Sequence, residues 1–376
     1  MSVIPFGKWC LIGLIGLIGL LLCEQQGWSE SPAVKARSVP AHQAERHLTN
    51  IRQLTVGRQN TEAYFSFSGN KLVFQSTNNW MKDTYAATSS PTDKKLACYQ
   101  IYVMDLESAT VRLVSTGTGV ATGGFFFPGD RRVLYSSTYA VGPNCPLTPK
   151  EPSRWALDDY DLYAVRLDGQ EMQRLTFAPG YDAEATVSPD GKTIVWTSVK
   201  DGDLDIYAMS LDGSRARRLT NEVGYDGGAF FSPDSKRIVY RASHPTEPAE
   251  IETYQALLKQ NLVEPLQLEL FVMNADGSGK RQVTKNGASN LSPSYFHDGK
   301  RIIFSSNIET TAEDSKASRH LYAIGEDGQS LERLTFDGQF NSFPMFSPTG
   351  ASLVWVSDRG AKVPGEFNVF LADWVP

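Results

Sequence analysis

The chain has 376 residues, 41% of them hydrophobic and 21% charged, and a formal net charge of −6. That make-up suits a soluble globular protein large enough to bury a core, and an acidic balance without a Lys/Arg run argues against a nucleic-acid surface. The chain holds no Gly-x-Ser-x-Gly elbow, no His-Glu-x-x-His and no phosphate loop, so it offers no recognisable catalytic centre.

The first element is a leader. Lys8 precedes an apolar stretch from Trp9 to Cys23, short for a membrane span and suited to a signal-peptide core. Residues 1–36 are read as signal peptide and polar linker, with cleavage after Ser29 or Ala36. Cys23, after Leu20-Leu21-Leu22, matches a lipoprotein box in part. Three fates stay open: simple cleavage, lipidation at Cys23, and retention as an uncleaved anchor. The expected location is the periplasm or cell surface, with any membrane contact made through the leader. Past it only Cys98 and Cys145 remain, and an even pair in an oxidising compartment is expected to form a disulfide.

Six copies of one ten-residue pattern follow. They are Phe65–Phe74, Phe126–Tyr135, Val187–Trp196, Phe231–Tyr240, Tyr295–Phe304 and Phe346–Trp355, starting 44 to 64 residues apart. Each reads as an apolar entry, a Pro/Asp/Gly turn and a β-branched run, hence two antiparallel strands. A third strand recurs in segments such as Asp205–Gly213, where Asp-Gly signals a hairpin. A fourth recurs in Arg174-Leu175-Thr176 and its counterparts. Four antiparallel strands repeated six times predict an all-β, six-bladed propeller over residues 48–376. Blade cores are expected at about 60–115, 121–177, 182–221, 226–285, 290–336 and 341–376. The sixth copy lacks its outer strand, and Arg52-Gln53-Leu54-Thr55 matches the missing element. Residues 51–56 are therefore expected to complete the last blade and close the ring. Every long insertion falls between strands 2 and 3, so all emerge on one face, together with the connections between blades. In the insertion of the fourth blade, Ile251, Tyr254 and Leu257/Leu258 recur at helical spacing and predict a helix behind Thr246.

The motifs SPDGK, LDIYAM, LDGS and RRLT resemble the TolB-like, Pro-Asp-type propeller repeats of exported bacterial proteins, over about Leu48 to Pro376. The resemblance implies a six-bladed propeller of the bacterial envelope that binds another protein. TolB proper carries a separate α/β domain before its propeller, whereas here a short polar segment separates the leader from Leu48.

The aligned copies also nominate a site. Five positions before each copy stand Asn60, Ala121, Asp182, Asp226, Asn290 and Asn341; three before stand Glu62, Gly123, Glu184, Gly228, Ser292 and Phe343. Both sets are expected to ring the channel mouth on the loop-rich face. Their oxygens would suit a basic group of a partner or a hard cation such as calcium. Alternatively, the Asn and Asp residues cap turns through local backbone N–H groups. Glu62 and Glu184 are departures that the repeat does not require. So is Arg241, expected either to pair with Asp226 or to offer a fork to an anion. His244 reads as a loop residue. Asp201, Asp203 and Asp205 alternate as in some calcium loops, although a solvated turn explains them equally. Trp80, Tyr85, Tyr139 and Trp155 add aromatics to the first two insertions.

The leading expectation is a monomeric, non-enzymatic propeller without a cofactor that binds a protein or envelope component through its loop-rich face. The alternative is a lyase or hydrolase acting on a saccharide or lactone, with channel-mouth carboxylates holding a divalent cation.

Overall fold

The computed structural model describes residues 33–77, 98–147, 149–151, 153–308 and 318–376. Six antiparallel sheets stand around a central channel, and the inner strand of each contacts that of the next until the sixth meets the first. From inside outward, blade I comprises Asn60–Phe65, Lys71–Ser76, Gln100–Asp105 and Val111–Leu113. Blade II has Ala121–Phe126, Arg132–Ser137, Asp161–Arg166 and Gln173–Arg174. Blade III has Asp182–Val187, Thr193–Ser198, Asp205–Ser210 and Arg217–Arg218. Blade IV has Tyr225–Phe231, Arg237–Ser243, Glu269–Asn274 and Arg281–Gln282; blade V has Leu291–Tyr295, Arg301–Ser306, His320–Gly325 and Glu332–Arg333.

Blade VI is built from both ends of the propeller. Asn341–Phe346, Ser352–Ser357 and Asn368–Trp374 are followed outward by Leu48–Gln53 and then Arg37–Ser38, so this sheet has five strands. The closing strand lies a few residues earlier than the expected 51–56, because its ladder runs back through an irregularity between Thr49 and Arg52 to pair Leu48 with Trp374.

The recurring motifs have identifiable work. In Ser188-Pro189-Asp190-Gly191 the Ser188 hydroxyl donates to Asp190 and accepts from the Lys192 and Thr193 N–H groups. Gly191 has φ +68°, and a Cβ there would lie 2.5 Å from Pro128 of blade II, so glycine serves both the turn and the blade contact. The threonine after each fourth strand closes its blade. Thr176, Thr220, Thr284 and Thr335 accept from the N–H groups of Leu162, Ile206, Leu270 and Leu321 at 2.8–2.9 Å. Blade I uses Ser115 for the same bond to Ile101, and blade VI uses Thr55 for Val369. The N-terminal segment thus supplies the sixth copy of this side chain as well as a strand.

Second strands such as Thr193–Ser198 are buried at every position after the first. Neighbouring blades cover both sheet faces, which is why these strands read as continuous β-branched runs and not as alternating ones.

Among the described residues, the insertions of blades I, II and IV are linked into a strap. Cys98 and Cys145 are disulfide-bonded and join the insertions of blades I and II. Trp155–Ala156 of the blade II insertion pairs with Leu262–Val263 of the blade IV insertion, passing over blade III, whose own loop is short. The helix Pro248–Leu258 begins at Glu247, not Thr246, and has no side-chain cap. It turns Tyr254, Leu257 and Leu258 inward, with Tyr254 and Leu258 packed on a cluster of Leu157, Leu204, Tyr225, Val263 and Leu268. The Tyr254 hydroxyl donates to Asp203. This amphipathic face therefore docks on its own propeller. Trp80 and Tyr85 lie outside the described residues.

Candidate functional site: a roofed channel mouth

All six inner strands carry a bulge at the same place. Register shifts occur between Thr61 and Tyr64, Thr122 and Phe125, Ala183 and Thr186, Gly227 and Phe230, Leu291 and Ser294, and Ser342 and Met345. Within them Glu62, Gly123, Glu184, Gly228, Ser292 and Phe343 adopt left-handed φ of +49° to +61°. An extra residue in this conformation leaves the pleat. Here one from each blade lines a cavity of about 230 Å³, walled by Tyr64 and Phe230 and reached by Trp155 and Arg241.

Of the residues singled out by sequence, Glu62, Glu184 and Arg241 meet here. Asp182, Asp226, Asn290 and Asn341 do not line this cavity; they are buried among the strands. Asp182 accepts from the Trp196 indole at 2.8 Å and Asp226 contacts His244 at 3.1 Å. Asn290 donates to the Leu268 carbonyl and Asn341 to that of Asp337. Asn60 likewise donates to the Gly57 carbonyl and accepts from Ser76. The three asparagines thus donate to backbone carbonyls at the entry to their blades, and the two aspartates bond side chains, which differs from the backbone N–H capping expected of these positions.

The Arg241–Asp226 pairing does not form. Arg241 lies opposite Gly227, whereas Asp226 lies opposite Ala242, and adjacent ladder positions face opposite sides of a sheet. Arg241 instead donates to Glu184 of blade III and to the Tyr225 hydroxyl, with its guanidinium 5.6 Å from the ring centroids of both Trp155 and Tyr225. Its Nε is buried and has no partner among the described residues. Burial opposes its charge, but Glu184 and Tyr225 more than offset that and raise its pKa. Glu184 also accepts from Thr197 and from the Gly228 N–H, both at 2.9 Å, and from the Tyr225 hydroxyl at 3.3 Å. His244 belongs to the structure, bonded to Asp226 and tilted over Phe271.

Glu62 differs from Glu184: no cationic side chain bonds it among the described residues. Burial first, and Glu184 second, push its carboxyl up to about 7 against the pull of Arg241 and the Gly123 N–H. Its ordinary value of 4.5 applies in the unfolded chain, so below that pH its contribution to stability is complete. As pH rises towards 7 the unfolded chain ionises first and stability falls. The groups acting on it are Glu184, Arg241 and Gly123, with Tyr64, Tyr99 and Tyr160 in electrostatic reach. Glu62→Gln is expected to flatten this decline and to leave the variant more stable above pH 7, by roughly 1–3 kcal/mol. Urea midpoints at pH 5 and pH 8 measure it; equal slopes for both proteins would show a solvated Glu62.

The alternating aspartates disperse to separate partners. Asp201 accepts from Tyr207, Asp203 from Tyr254 and Gly224, and Asp205 from Arg218 and Thr220. Among the described residues no group of three or more His, Cys, Asp and Glu is placed to hold a metal ion. The two cavity carboxylates also share their space with the Arg241 cation, which does not suit a divalent cation there.

The profile of the TolB beta propeller domain matches residues 155–261, from the blade II insertion into that of blade IV. With the six-bladed ring, that match decides the architecture. The fold is a TolB-like β-propeller. A structure assigned to TolB in Agrobacterium tumefaciens overlays the TolB-like propeller with a TM-score of 0.55 and 18% identity, covering 85% of this chain and 91% of the other. An oligogalacturonate lyase in complex with manganese overlays it with a TM-score of 0.53 and 13% identity, over 93% and 98%. Both are likenesses of fold. Dipeptidyl-peptidase 5 of Porphyromonas endodontalis is 31% identical over 99 residues, which are 26% of this chain and 13% of that protein. The TolB-like propeller thus matches only about an eighth of that relative's length.

Sequence comparison of the copies found Glu62, Glu184 and Arg241 as departures from the repeat. It missed Trp155 as roof and Tyr225 as the link between Arg241 and Glu184. The signal for Trp155 was composition alone, an aromatic residue in a long insertion.

Proposed function

We propose that this TolB-like propeller is an exported, non-enzymatic binding protein that holds a protein or envelope component against its loop-rich face, with the channel mouth as its specificity pocket. The observation that carries this reading is the pair of glutamates at left-handed bulge positions. Blades II and IV place glycine there, the residue that adopts positive φ without strain. Holding a side chain in that conformation costs on the order of 1–2 kcal/mol, and a strained residue facing a cavity points to function. The strap of insertions supports the same reading, since it builds walls that the propeller itself does not need. Export is supported by the leader, which lies largely outside the described residues, and by the disulfide. Among the described residues no helix is long and apolar enough to cross a membrane. For the lyase or hydrolase reading, the cavity supplies two carboxylates and an arginine where a cation-dependent reaction needs a ligand set.

Affinity capture from envelope extract tests this, using the wild type, Glu62→Gln, and Asp276→Ala in an exposed turn as control. A partner retained by wild type and control is expected to fall about tenfold or more with Glu62→Gln, a change of roughly 1.4 kcal/mol. Equal retention by all three would remove the cavity from the binding surface.

A further inference from the structure

The charges of the channel mouth do not cancel. Glu184 and Arg241 form an internally neutral pair, and Glu184 has further donors in Thr197, Tyr225 and Gly228. Glu62 is left as one carboxylate facing the cavity with no cationic side chain bonded to it among the described residues. Four aromatic rings stand in its walls: Tyr64 and Phe230, with ring centroids 5.4 Å apart, together with Phe343 and Trp155. The room is limited too, at about 230 Å³, below the roughly 300–1,000 Å³ of pockets that enclose drug-sized ligands. It suits one side chain of a larger partner and not an oligosaccharide. A carboxylate beside aromatic faces is the chemistry that recognises an organic cation, through charge and ring quadrupole together. The Arg241 guanidinium, held 5.6 Å from the Trp155 and Tyr225 centroids, is an internal example of that contact.

We propose that the channel mouth is a receptor for one basic side chain, lysine or arginine, of a partner protein, with Glu62 as its counter-ion and the Tyr64, Phe230 and Trp155 rings as its walls. This rests on the reading of the loop-rich face as a binding face and names what that face selects. It also assigns the left-handed glutamate of blade I its purpose: the bulge carries the carboxylate out of the sheet into the cavity, where a regular strand would not.

The test uses the purified protein and small probes: Nα-acetyl-lysine amide, Nα-acetyl-arginine amide, uncharged Nα-acetyl-norleucine amide and Nα-acetyl-glutamate amide. Titrations are followed by tryptophan fluorescence and by ligand-observed NMR. The expected result is binding of both basic probes with a dissociation constant on the order of 1 mM, and no saturable binding of norleucine or glutamate probes. Glu62→Gln, checked for a melting midpoint no lower than that of the wild type, should weaken the basic probes about tenfold or more. If that variant melts early, Phe230→Leu replaces it; this change keeps apolar bulk, removes the ring and should weaken them severalfold. Norleucine binding as tightly as lysine would overturn the proposal, as would no response to basic probes or equal affinity in both variants. A partner captured from envelope extract in a Glu62-dependent way, with no response to basic probes, would refute the basic-side-chain receptor while leaving the binding face standing.

Discussion

Replacing Arg359 with methionine is expected to lower unfolding stability by about 3–5 kcal/mol, the cost of leaving a buried charge without its partner. Arg359 and Glu45 are both fully buried, and two parallel hydrogen bonds of 2.8 and 3.1 Å join them. The guanidinium also lies over the Trp355 and Phe370 rings, at 5.1 and 5.7 Å from their centroids. Glu45 accepts in addition from the N–H groups of Phe336, Asp337 and His42. Its carboxylate thus ties the segment before the closing strand to the connection between blades V and VI. Burial alone would raise the Glu45 pKa, but Arg359 and these donors outweigh it and hold the pKa below its ordinary value. The pair therefore contributes fully above the ordinary carboxylate range and loses strength as pH falls through the lowered value. Glu45→Gln should cost a comparable amount, and the double variant less than the sum, because each single change leaves the other group stranded. Urea unfolding of the three variants measures this. A loss below about 1 kcal/mol in either single variant would mean that the N-terminal segment is held elsewhere.

Replacing both Cys98 and Cys145 by serine is expected to lower stability by about 2–4 kcal/mol. The bond spans 47 residues, and its Cα atoms lie 5.4 Å apart. It closes a loop containing the outer half of blade I and the inner half of blade II, so the unfolded chain loses freedom that the folded chain has already given up. Removing it should also loosen the strap, since Cys98 and Tyr99 pack beside Val120, Tyr160 and Ala183. Urea midpoints of wild type, reduced wild type and the double variant provide the check. The last two should agree with each other and fall below the first; an unshifted midpoint would show that the insertions unfold apart from the blades.

The blades were readable from the chain because each motif acts within its own blade: the Ser-Pro-Asp-Gly turn bonds to itself, and the threonine after strand 4 reaches its own strand 3, 14 positions back. The one-sided insertions followed from strand direction alone. What stayed hidden depends on residues far apart in sequence. Glu45 and Arg359 are separated by 314 positions, and neither carries a local signature of its partner. Arg241 stood out against the other copies, but its partner could not be read, because pairing with Glu184 requires knowing which face of blade IV meets blade III. The pairing of Trp155–Ala156 with Leu262–Val263 is two residues long, too short for any alternating pattern. The left-handed bulge was visible only as glycine at two of six aligned positions. The entry Asn and Asp residues show the converse: their recurrence in five copies reported blade construction, whereas the two glutamates were informative because the other copies lack them.

Closing blade VI with a strand from the N-terminal segment sets the order in which the molecule can be assembled. The bond between Asn50 and Asp373 joins residues 323 positions apart, and contacts of such separation form late because the chain between them must first be gathered in. A chain made from its N-terminus carries Leu48–Gln53 without its blade VI partner until Asn368–Trp374 has been made. The ring is thus latched only when Asn368–Trp374 reaches Leu48–Gln53, and until then the earlier blades stand in an open arc.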